Sequence, residues 1–192
     1  MCNVKNNPRE GRESFAQDAE MLSKSLDIVT DRVVKYIMTR GISLSTAESC
    51  TGGMLAERIT SVPGASEIFA GGVVSYSEDV KKKVLGVKKE TLEKHTVYSA
   101  QTASEMSRGV MELMGTDASA AVTGIAGPGG GTDDKPVGTV FVSVRYKNRE
   151  EVKDLRLYEE YGSLDRETIR LLTVRSALEM LEQLLVSESE GE

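Results

Sequence analysis

A strand-to-helix junction at residues 47–53 is the feature that most constrains the fold of this chain. Its sequence, Ala-Glu-Ser-Cys-Thr-Gly-Gly, follows the short apolar run 42–47 and precedes an amphipathic segment at 54–60. Proteins of the α/β class tend to place their chemistry in a polar, glycine-containing link of this kind. The link offers two nucleophiles, Ser49 and Cys50, and glycines whose backbone N–H groups can approach an anion. An ordinary turn with a helix cap would explain the same residues equally well.

The apolar periodicity of the remaining chain predicts helices and strands in alternation, with a hairpin near the carboxyl end. A helical spacing begins at Asp18 and stops at Gly41, and Ser99 and Asp165 are predicted helix caps. The other helices are predicted at 54–60, 78–85, 89–95, 100–114 and 166–185, and strands at 42–47, 71–77, 118–122, 137–146 and 152–158. This order predicts an α/β sandwich with a mixed β-sheet in a single domain.

The two ends of the chain are expected to lie outside the folded domain. Residues 1–20 are polar and mixed in charge, and they are predicted to form a disordered or loosely attached extension. Residues 187–192 are predicted to be a solvated acidic tail. The domain is therefore expected to span residues 21–186.

Charge and composition argue against several classes of function. The net charge of −6 argues against nucleic-acid binding, which needs a basic face. No apolar run approaches the ~18 residues of a membrane span, and no secretion signal is recognisable, so the cytoplasm is the expected location. The single histidine, His95, excludes metal sites built on several histidines, and two cysteines cannot form a metal-binding cluster. Because His95 lies at the end of a predicted surface helix, the base of a hydrolase is not expected to be histidine.

A second polar segment, residues 123–132, follows the buried strand at 118–122 and is rich in glycine. Consecutive backbone N–H groups in such a loop can form an anion-binding nest. The loop matches neither a Walker phosphate loop nor the dinucleotide fingerprint. A flexible connection is the alternative interpretation, although Pro128 and Pro136 favour a fixed path.

The third polar segment, residues 75–83, contains Tyr76 and three consecutive lysines, Lys81 to Lys83. Such a run is most often a solvated helix face. Because consecutive helical residues point about 100° apart, at most one of these lysines can enter a given site. A lysine base must lower its pKa from ~10.4 to ~7–8, and partial burial and neighbouring like charges are the available means.

Together the three segments resemble the CinA C-terminal domain family over residues 26–185. The resemblance rests on residues 46–53, on Tyr76-Ser77 followed by Lys81, and on the glycine-rich stretch 124–140. Stand-alone members of that family are nicotinamide-nucleotide amidohydrolases of pyridine nucleotide salvage. The resemblance implies a three-layer α/β/α sandwich that hydrolyses the carboxamide of nicotinamide mononucleotide, with no cofactor and no metal.

The resemblance also implies roles for individual residues. Ser49 is expected to be the nucleophile, Lys81 its general base and Tyr76 an assisting hydroxyl. Backbone N–H groups near Thr51 to Gly53 could stabilise an oxyanion, and Arg166 and Arg170 could bind the phosphate or form surface ion pairs. The residues expected to bind the nucleotide substrate are Glu48, Cys50, Thr51, Gly52, Gly53, Thr123, Gly124, Ala126, Gly127, Gly130 and Arg166.

Two other functions compete with this hypothesis. One is a nucleotide-binding or regulatory module of the same fold without catalysis, in which Ser49 and Lys81 only form hydrogen bonds. The other is a cysteine enzyme that uses Cys50. A small nucleotide is the expected partner, with no nucleic acid and no membrane. A long exposed N-terminal helix could also pair two copies into a homo-oligomer.

Overall fold

The computed structural model describes residues 8–189 of the chain. Within this range seven α-helices and one short 3-10 helix surround five β-strands. The strands are β1 (Leu44–Glu48), β2 (Phe69–Val74), β3 (Ala118–Gly124), β4 (Val140–Tyr146) and β5 (Arg149–Asp154). The α-helices are α1 (Pro8–Thr39), α2 (Met54–Thr60), α3 (Glu78–Leu85), α4 (Lys89–His95), α5 (Ala100–Met114), α6 (Leu157–Tyr161) and α7 (Arg166–Ser189).

The five strands form one mixed sheet in the order β2-β1-β3-β4-β5, which confirms the predicted mixed sheet. β1 is parallel to both β2 and β3, whereas β4 and β5 are antiparallel to their neighbours. β5 forms one edge of the sheet, and every residue of this strand except Val152 is charged.

Alternating residues of the central strands serve two separate cores, one on each face of the sheet. Leu44 of β1 and Val122 of β3 pack into the larger core with α1, α2 and α7. Ala47 and Ala121, on the opposite face, pack into the smaller core with residues of α3, α4 and α5. The chain is therefore a three-layer α/β/α sandwich, as the resemblance implied.

Several predicted elements coincide with the structure because short-range signals define them. The helices predicted at 54–60, 78–85 and 89–95 have these bounds. Ser99 caps α5 by accepting a hydrogen bond from the backbone N–H of Thr102, and Gly115 ends that helix in the left-handed conformation.

The hairpin is shorter and tighter than the sequence predicted. A strand was expected at 152–158, but β5 begins at Arg149 because only Lys147 and Asn148 separate it from β4, and Lys147 has a positive φ of 52°. Leu157 is buried and begins α6, and its N–H donates a hydrogen bond to the carbonyl of Gly138. This packing replaces the predicted end of the strand with a helix.

Both terminal helices extend beyond their predicted bounds. The helix α1 begins at Pro8 rather than at Asp18, because proline is tolerated at a helix start and residues 9–20 are mostly good helix formers. Helix α7 likewise continues to Ser189 rather than ending before the predicted acidic tail. Residues 1–7 and 190–192 lie outside the described residues.

The sheet topology creates a crevice at the carboxyl ends of β1 and β3. From β1 the chain turns through α2 toward β2 on one side, whereas β3 lies on the other side of β1. Connections that leave in opposite directions open a crevice outside the strand ends, which is where α/β proteins usually bind ligands. All three predicted polar segments follow strands that end at this side of the sheet.

Candidate active site

Ser49 follows β1 directly and extends its pairing with β3. Its backbone N–H donates a hydrogen bond to the carbonyl of Val122 at 3.0 Å. The residue is only 6% exposed. Its position is therefore fixed by the central strands of the sheet rather than by a free loop.

Glu48, the last residue of β1, holds the turn that follows the nucleophile candidate. Its buried carboxylate accepts hydrogen bonds from the Thr51 hydroxyl at 2.7 Å and from three backbone N–H groups at 2.9–3.0 Å, those of Gly53, Leu55 and Ala56. These donors belong to the start of α2, where backbone N–H groups have no partner within the helix. Glu48 thus acts as the acceptor that caps α2.

This cap engages groups to which the sequence assigned other roles. The N–H of Gly53 is bonded to Glu48, and the N–H of Gly52 donates to the carbonyl of Ser49 at 3.1 Å. Two of the groups proposed to stabilise an oxyanion, the N–H groups of Gly52 and Gly53, are therefore already bonded within the protein. Glu48, Thr51, Gly52 and Gly53 do not line the cavity described below. Their observed contacts support the turn, and their contact with substrate stays a prediction.

Arg170 provides a second support for the same turn. From α7, its Nη2 and Nε donate to the carbonyl oxygen of Thr51 at 2.7 and 3.3 Å. The sequence left Arg170 open as a phosphate ligand or a partner in surface ion pairs. The structure instead joins it to the backbone behind Ser49.

Lys81 enters the site from the first turns of α3. Its Nζ lies 3.0 Å from the Ser49 Oγ and 2.6 Å from the carbonyl oxygen of Ser75. The residue is 1% exposed, and it is among the largest fully buried side chains of the described residues. Lys82, in contrast, forms an ion pair with Asp79 at 2.8 Å, and Lys83 is exposed. Of the three lysines, the structure brings Lys81 to the nucleophile candidate.

Burial changes the acid–base behaviour of Lys81. Desolvation lowers the pKa of its ammonium group from 10.5 to about 8, while attraction to the Glu78 carboxylate opposes part of this shift. The sequence had offered burial and like charges as the two means of lowering this pKa, and burial is the one that dominates. A substantial fraction of the amine is therefore neutral near physiological pH and can accept a proton.

Cys50 lies beside Ser49 but has the opposite electrostatic character. It is 5% exposed, and burial raises the pKa of its thiol from 9.0 to about 12. Because the thiolate is the nucleophilic form, such a thiol is poorly suited to attack a carbonyl. The geometry favours Ser49 over Cys50.

A cavity of about 260 Å³ opens onto the Ser49–Lys81 pair. Nine of the predicted site residues lie on its wall: Ser49, Cys50, Tyr76, Lys81, Gly124, Ala126, Gly127, Gly130 and Arg166. Thr123 does not, because its hydroxyl points to the carbonyl of Val97 and donates a hydrogen bond at 2.8 Å. The three sequence segments thus converge on one concave site.

Arg166 and Tyr76 span the outer part of this cavity. Arg166, at the start of α7, donates from Nη1 to the carbonyl of Gly127 at 2.7 Å and from Nη2 to the Tyr76 hydroxyl at 3.4 Å. Tyr76 is 65% exposed. The guanidinium therefore connects the glycine loop with the segment between β2 and α3, and it brings positive charge to the cavity mouth.

Close packing explains two glycines of the loop after β3. A Cβ on Gly124 would lie 2.6 Å from the carbonyl oxygen of Thr139, so only glycine lets the end of β3 approach the start of β4. Gly127 has a positive φ of 77°, and a Cβ there would lie 2.6 Å from a methyl group of Val137. These contacts agree with the predicted fixed path of the loop.

Five residues of the cavity wall were not among the individually predicted site residues: Glu78, Val97, Tyr98, Ile125 and Gly129. Glu78 had a usable signal, because it precedes Lys81 by three positions and so shares its helix face. Val97 and Tyr98 had none, since they lie between α4 and α5 and reach the cavity only through the tertiary fold.

The described residues contain neither a cluster suited to a metal ion nor a helix suited to a membrane. No cluster of three or more His, Cys, Asp or Glu side chains that could hold a metal ion occurs within residues 8–189. Over the same range, no helix combines the length and apolar character needed to cross a membrane.

The amino-acid sequence of this chain matches a known protein family and several curated proteins. A family model described as the CinA C-terminal domain matches residues 26–185. The chain is 44% identical over 173 residues to a relative from Acetivibrio thermocellus that carries the competence-damage inducible name, and 45% identical over 153 residues to a CinA-like protein of Thermotoga maritima. These alignments cover 88% and 80% of this chain but only 41% and 36% of the relatives. The chain therefore spans about two fifths of their length.

Solved structures show the same similarity in three dimensions. The competence/damage inducible protein CihA from Agrobacterium tumefaciens is 41% identical, with a TM-score of 0.79 over 83% of this chain and 94% of that one. A CinA superfamily protein from Escherichia coli is 33% identical, with a TM-score of 0.77 over 83% and 90% of the two chains. The two solved structures thus share this fold over nearly the whole of their own length.

Proposed function

This chain belongs to the CinA C-terminal domain family, and on that premise we propose that it is an amidohydrolase that converts nicotinamide mononucleotide to nicotinate mononucleotide and ammonia. The observation that carries the proposal is the buried Lys81 Nζ at 3.0 Å from the Ser49 Oγ, on the wall of a cavity. A hydroxyl beside a partly neutral amine is an activated nucleophile that needs no imidazole.

The first chemical step is attack of the Ser49 Oγ on the carboxamide carbon. Neutral Lys81 accepts the hydroxyl proton as the carbon–oxygen bond forms. The carbonyl of Ser75, at 2.6 Å from Nζ, accepts a hydrogen bond from the amine and so keeps its lone pair directed at Ser49. The Tyr76 hydroxyl, held by Arg166, is the assisting group at the cavity mouth.

In the second part of the reaction Lys81 acts as an acid and then again as a base. Protonated Lys81 gives its proton to the departing nitrogen, the carbon–nitrogen bond breaks, and ammonia leaves an acyl ester on Ser49. Water then attacks the ester carbon while Lys81 accepts a proton from it. The bond between that carbon and the Ser49 Oγ breaks, Lys81 returns the proton to Oγ, and nicotinate mononucleotide is released. Arg166 supplies positive charge for the phosphate of the nucleotide.

The decisive experiment measures ammonia and nicotinate mononucleotide released from nicotinamide mononucleotide by the purified protein, with and without a chelator. We expect equal amounts of both products, unchanged by the chelator, and no product from Ser49→Ala. Absence of turnover by folded protein across pH 6–9 would refute the proposal. Saturable binding of the nucleotide without product would instead establish the non-catalytic binding module.

A further inference from the structure

One wall of the cavity is a short segment held in an unfavourable conformation. Residues 95–98 comprise the last residue of α4 and most of its link to α5, and Val97 and Tyr98 of this segment face the cavity. Thr96 has a φ of 69° and a ψ of 170°. A positive φ is uncommon for a β-branched residue and persists only where the surroundings hold it.

Lys135, in the loop between β3 and β4, forms several of the hydrogen bonds that hold this segment in place. Its Nζ donates to the Thr96 hydroxyl at 2.6 Å, to the Tyr98 carbonyl at 2.8 Å and to the His95 carbonyl at 3.4 Å. An ammonium group has three donors, and all three have acceptors on this one segment. The positive charge also lies at the carboxyl end of α4, where the helix dipole favours it.

Other contacts tie the segment to the rest of the site. The Thr123 hydroxyl at the end of β3 donates to the carbonyl of Val97 at 2.8 Å, and the Thr102 hydroxyl of α5 donates to the carbonyl of Thr96 at 2.8 Å. Lys135 is the further contact that joins the segment to the loop between β3 and β4. The side chains of Thr123 and Lys135 thus fix the two walls of the cavity to each other.

We propose that Lys135 is a positioning residue that sets the wall formed by Val97 and Tyr98, and that the Tyr98 ring on this wall binds the heterocycle of the substrate. The inference rests on the proposed function, because it assigns the subsite for the ring of that nucleotide. The ring of nicotinamide mononucleotide carries a positive charge, and the face of a tyrosine ring attracts a cation. The carboxylate of Glu78, on the same cavity, adds negative potential for that charge.

The test separates binding from chemistry by steady-state kinetics on nicotinamide mononucleotide. We expect Lys135→Met to raise KM about tenfold and to leave kcat within about threefold, because the Ser49–Lys81 pair is untouched. Lys135→Arg, which keeps the charge and the donors, should recover most of the affinity. Lys94→Met, at an exposed lysine of α4, is the matched control and should behave as wild type.

The tyrosine is tested in parallel. Tyr98→Phe keeps the ring and should retain the wild-type KM, whereas Tyr98→Leu should raise KM about as much as Lys135→Met. If both residues act through one wall, the double variant Tyr98→Leu/Lys135→Met should be no worse than either single variant. An unchanged KM in Lys135→Met, or a fully additive double variant, would overturn the inference.

A second measurement keeps this inference distinct from the proposed function. Calorimetric binding of nicotinamide mononucleotide to Ser49→Ala, with and without Lys135→Met, reports the subsite without turnover. About tenfold weaker binding in the double variant supports the positioning role even if the wild type hydrolyses nothing. Equal binding by the two proteins refutes that role even if the wild type is an active amidase.

Discussion

Two ionisable side chains beside Ser49, those of Glu48 and Lys81, are equally buried but differ in their hydrogen-bond partners. Glu48 and Lys81 are each 1% exposed. The Glu48 carboxylate accepts four hydrogen bonds, three of them from the backbone at the start of α2. Lys81 has two neutral oxygen acceptors, those of Ser49 and Ser75, and burial lowers its pKa to about 8.

The contrast shows how two equally buried side chains can serve different roles, one in stabilising the fold and the other in accepting a proton. Burial is costly for any charge, but a carboxylate with four donors recovers that cost through hydrogen bonds. An ammonium without a carboxylate at hydrogen-bond distance recovers less and shifts toward its neutral form. We therefore expect Glu48 to govern stability and Lys81 to govern catalysis.

The largest expected effect is the loss of activity in Lys81→Met. Removing the base should lower kcat at least about 10³-fold, whereas stability should be kept because methionine fills the site without a buried charge. Ammonia release and thermal unfolding measure the two effects. Lys82→Met is the matched control, since its ion pair with Asp79 is at the surface. Wild-type kcat in Lys81→Met would end the assignment of the base.

The opposite pattern is expected for Glu48→Ala. The substitution leaves three backbone N–H groups and one hydroxyl without their acceptor, so the free energy of unfolding should fall by at least about 3 kcal/mol. Urea denaturation measures the change. Glu48→Gln keeps one acceptor oxygen and should lose less. A Glu48→Ala protein as stable as wild type would remove the contrast between the two ions.

The pH dependence of the reaction sharpens the role of Lys81. The neutral amine is the active form, so activity should fall as the pH drops below the pKa of about 8. The neutral fraction rises from about 1% at pH 6 to about 50% at pH 8, so kcat/KM should rise about 50-fold over that range. Glu78→Gln removes a charge that raises this pKa, and it should move the profile to lower pH. A flat profile would contradict a lysine base.

The smallest effect is expected at Cys50. Its buried thiol, with a pKa raised to about 12, does not provide the thiolate needed for attack. Cys50→Ala should therefore keep kcat within about threefold of wild type. Initial rates of ammonia release measure this. Loss of activity in Cys50→Ala, together with retained activity in Ser49→Ala, would identify the thiol as the nucleophile instead.

Local signals explain why much of the fold could be predicted from the sequence. Ser99 and Gly115 delimit α5 because a hydroxyl cap and a left-handed glycine act within a few residues. The convergence of the three polar segments was also predictable, since each follows a strand and neighbouring parallel strands end at one edge of the sheet. Tyr76 and Lys81 reached the site for this reason.

The functions of other residues depended on contacts that no spacing reveals. Glu48 was predicted to contact substrate, and no spacing reveals that its carboxylate accepts hydrogen bonds from backbone N–H groups at the start of α2. Tyr98 had no signal, because Lys135, far along the chain, holds it at the cavity. Arg170 reaches the turn after Ser49 only because α7 packs against the same face of the sheet as α2.

The charged edge strand β5 has a consequence for how copies of this protein behave at high concentration. Edge strands present unpaired backbone groups that invite a strand from another molecule, and charged side chains discourage this. Every residue of β5 except Val152 is charged, with both signs present. These charges protect the β5 edge against pairing with a strand of another molecule. The opposite edge, β2, has a central pair of glycines and no charged residue, so it lacks this protection.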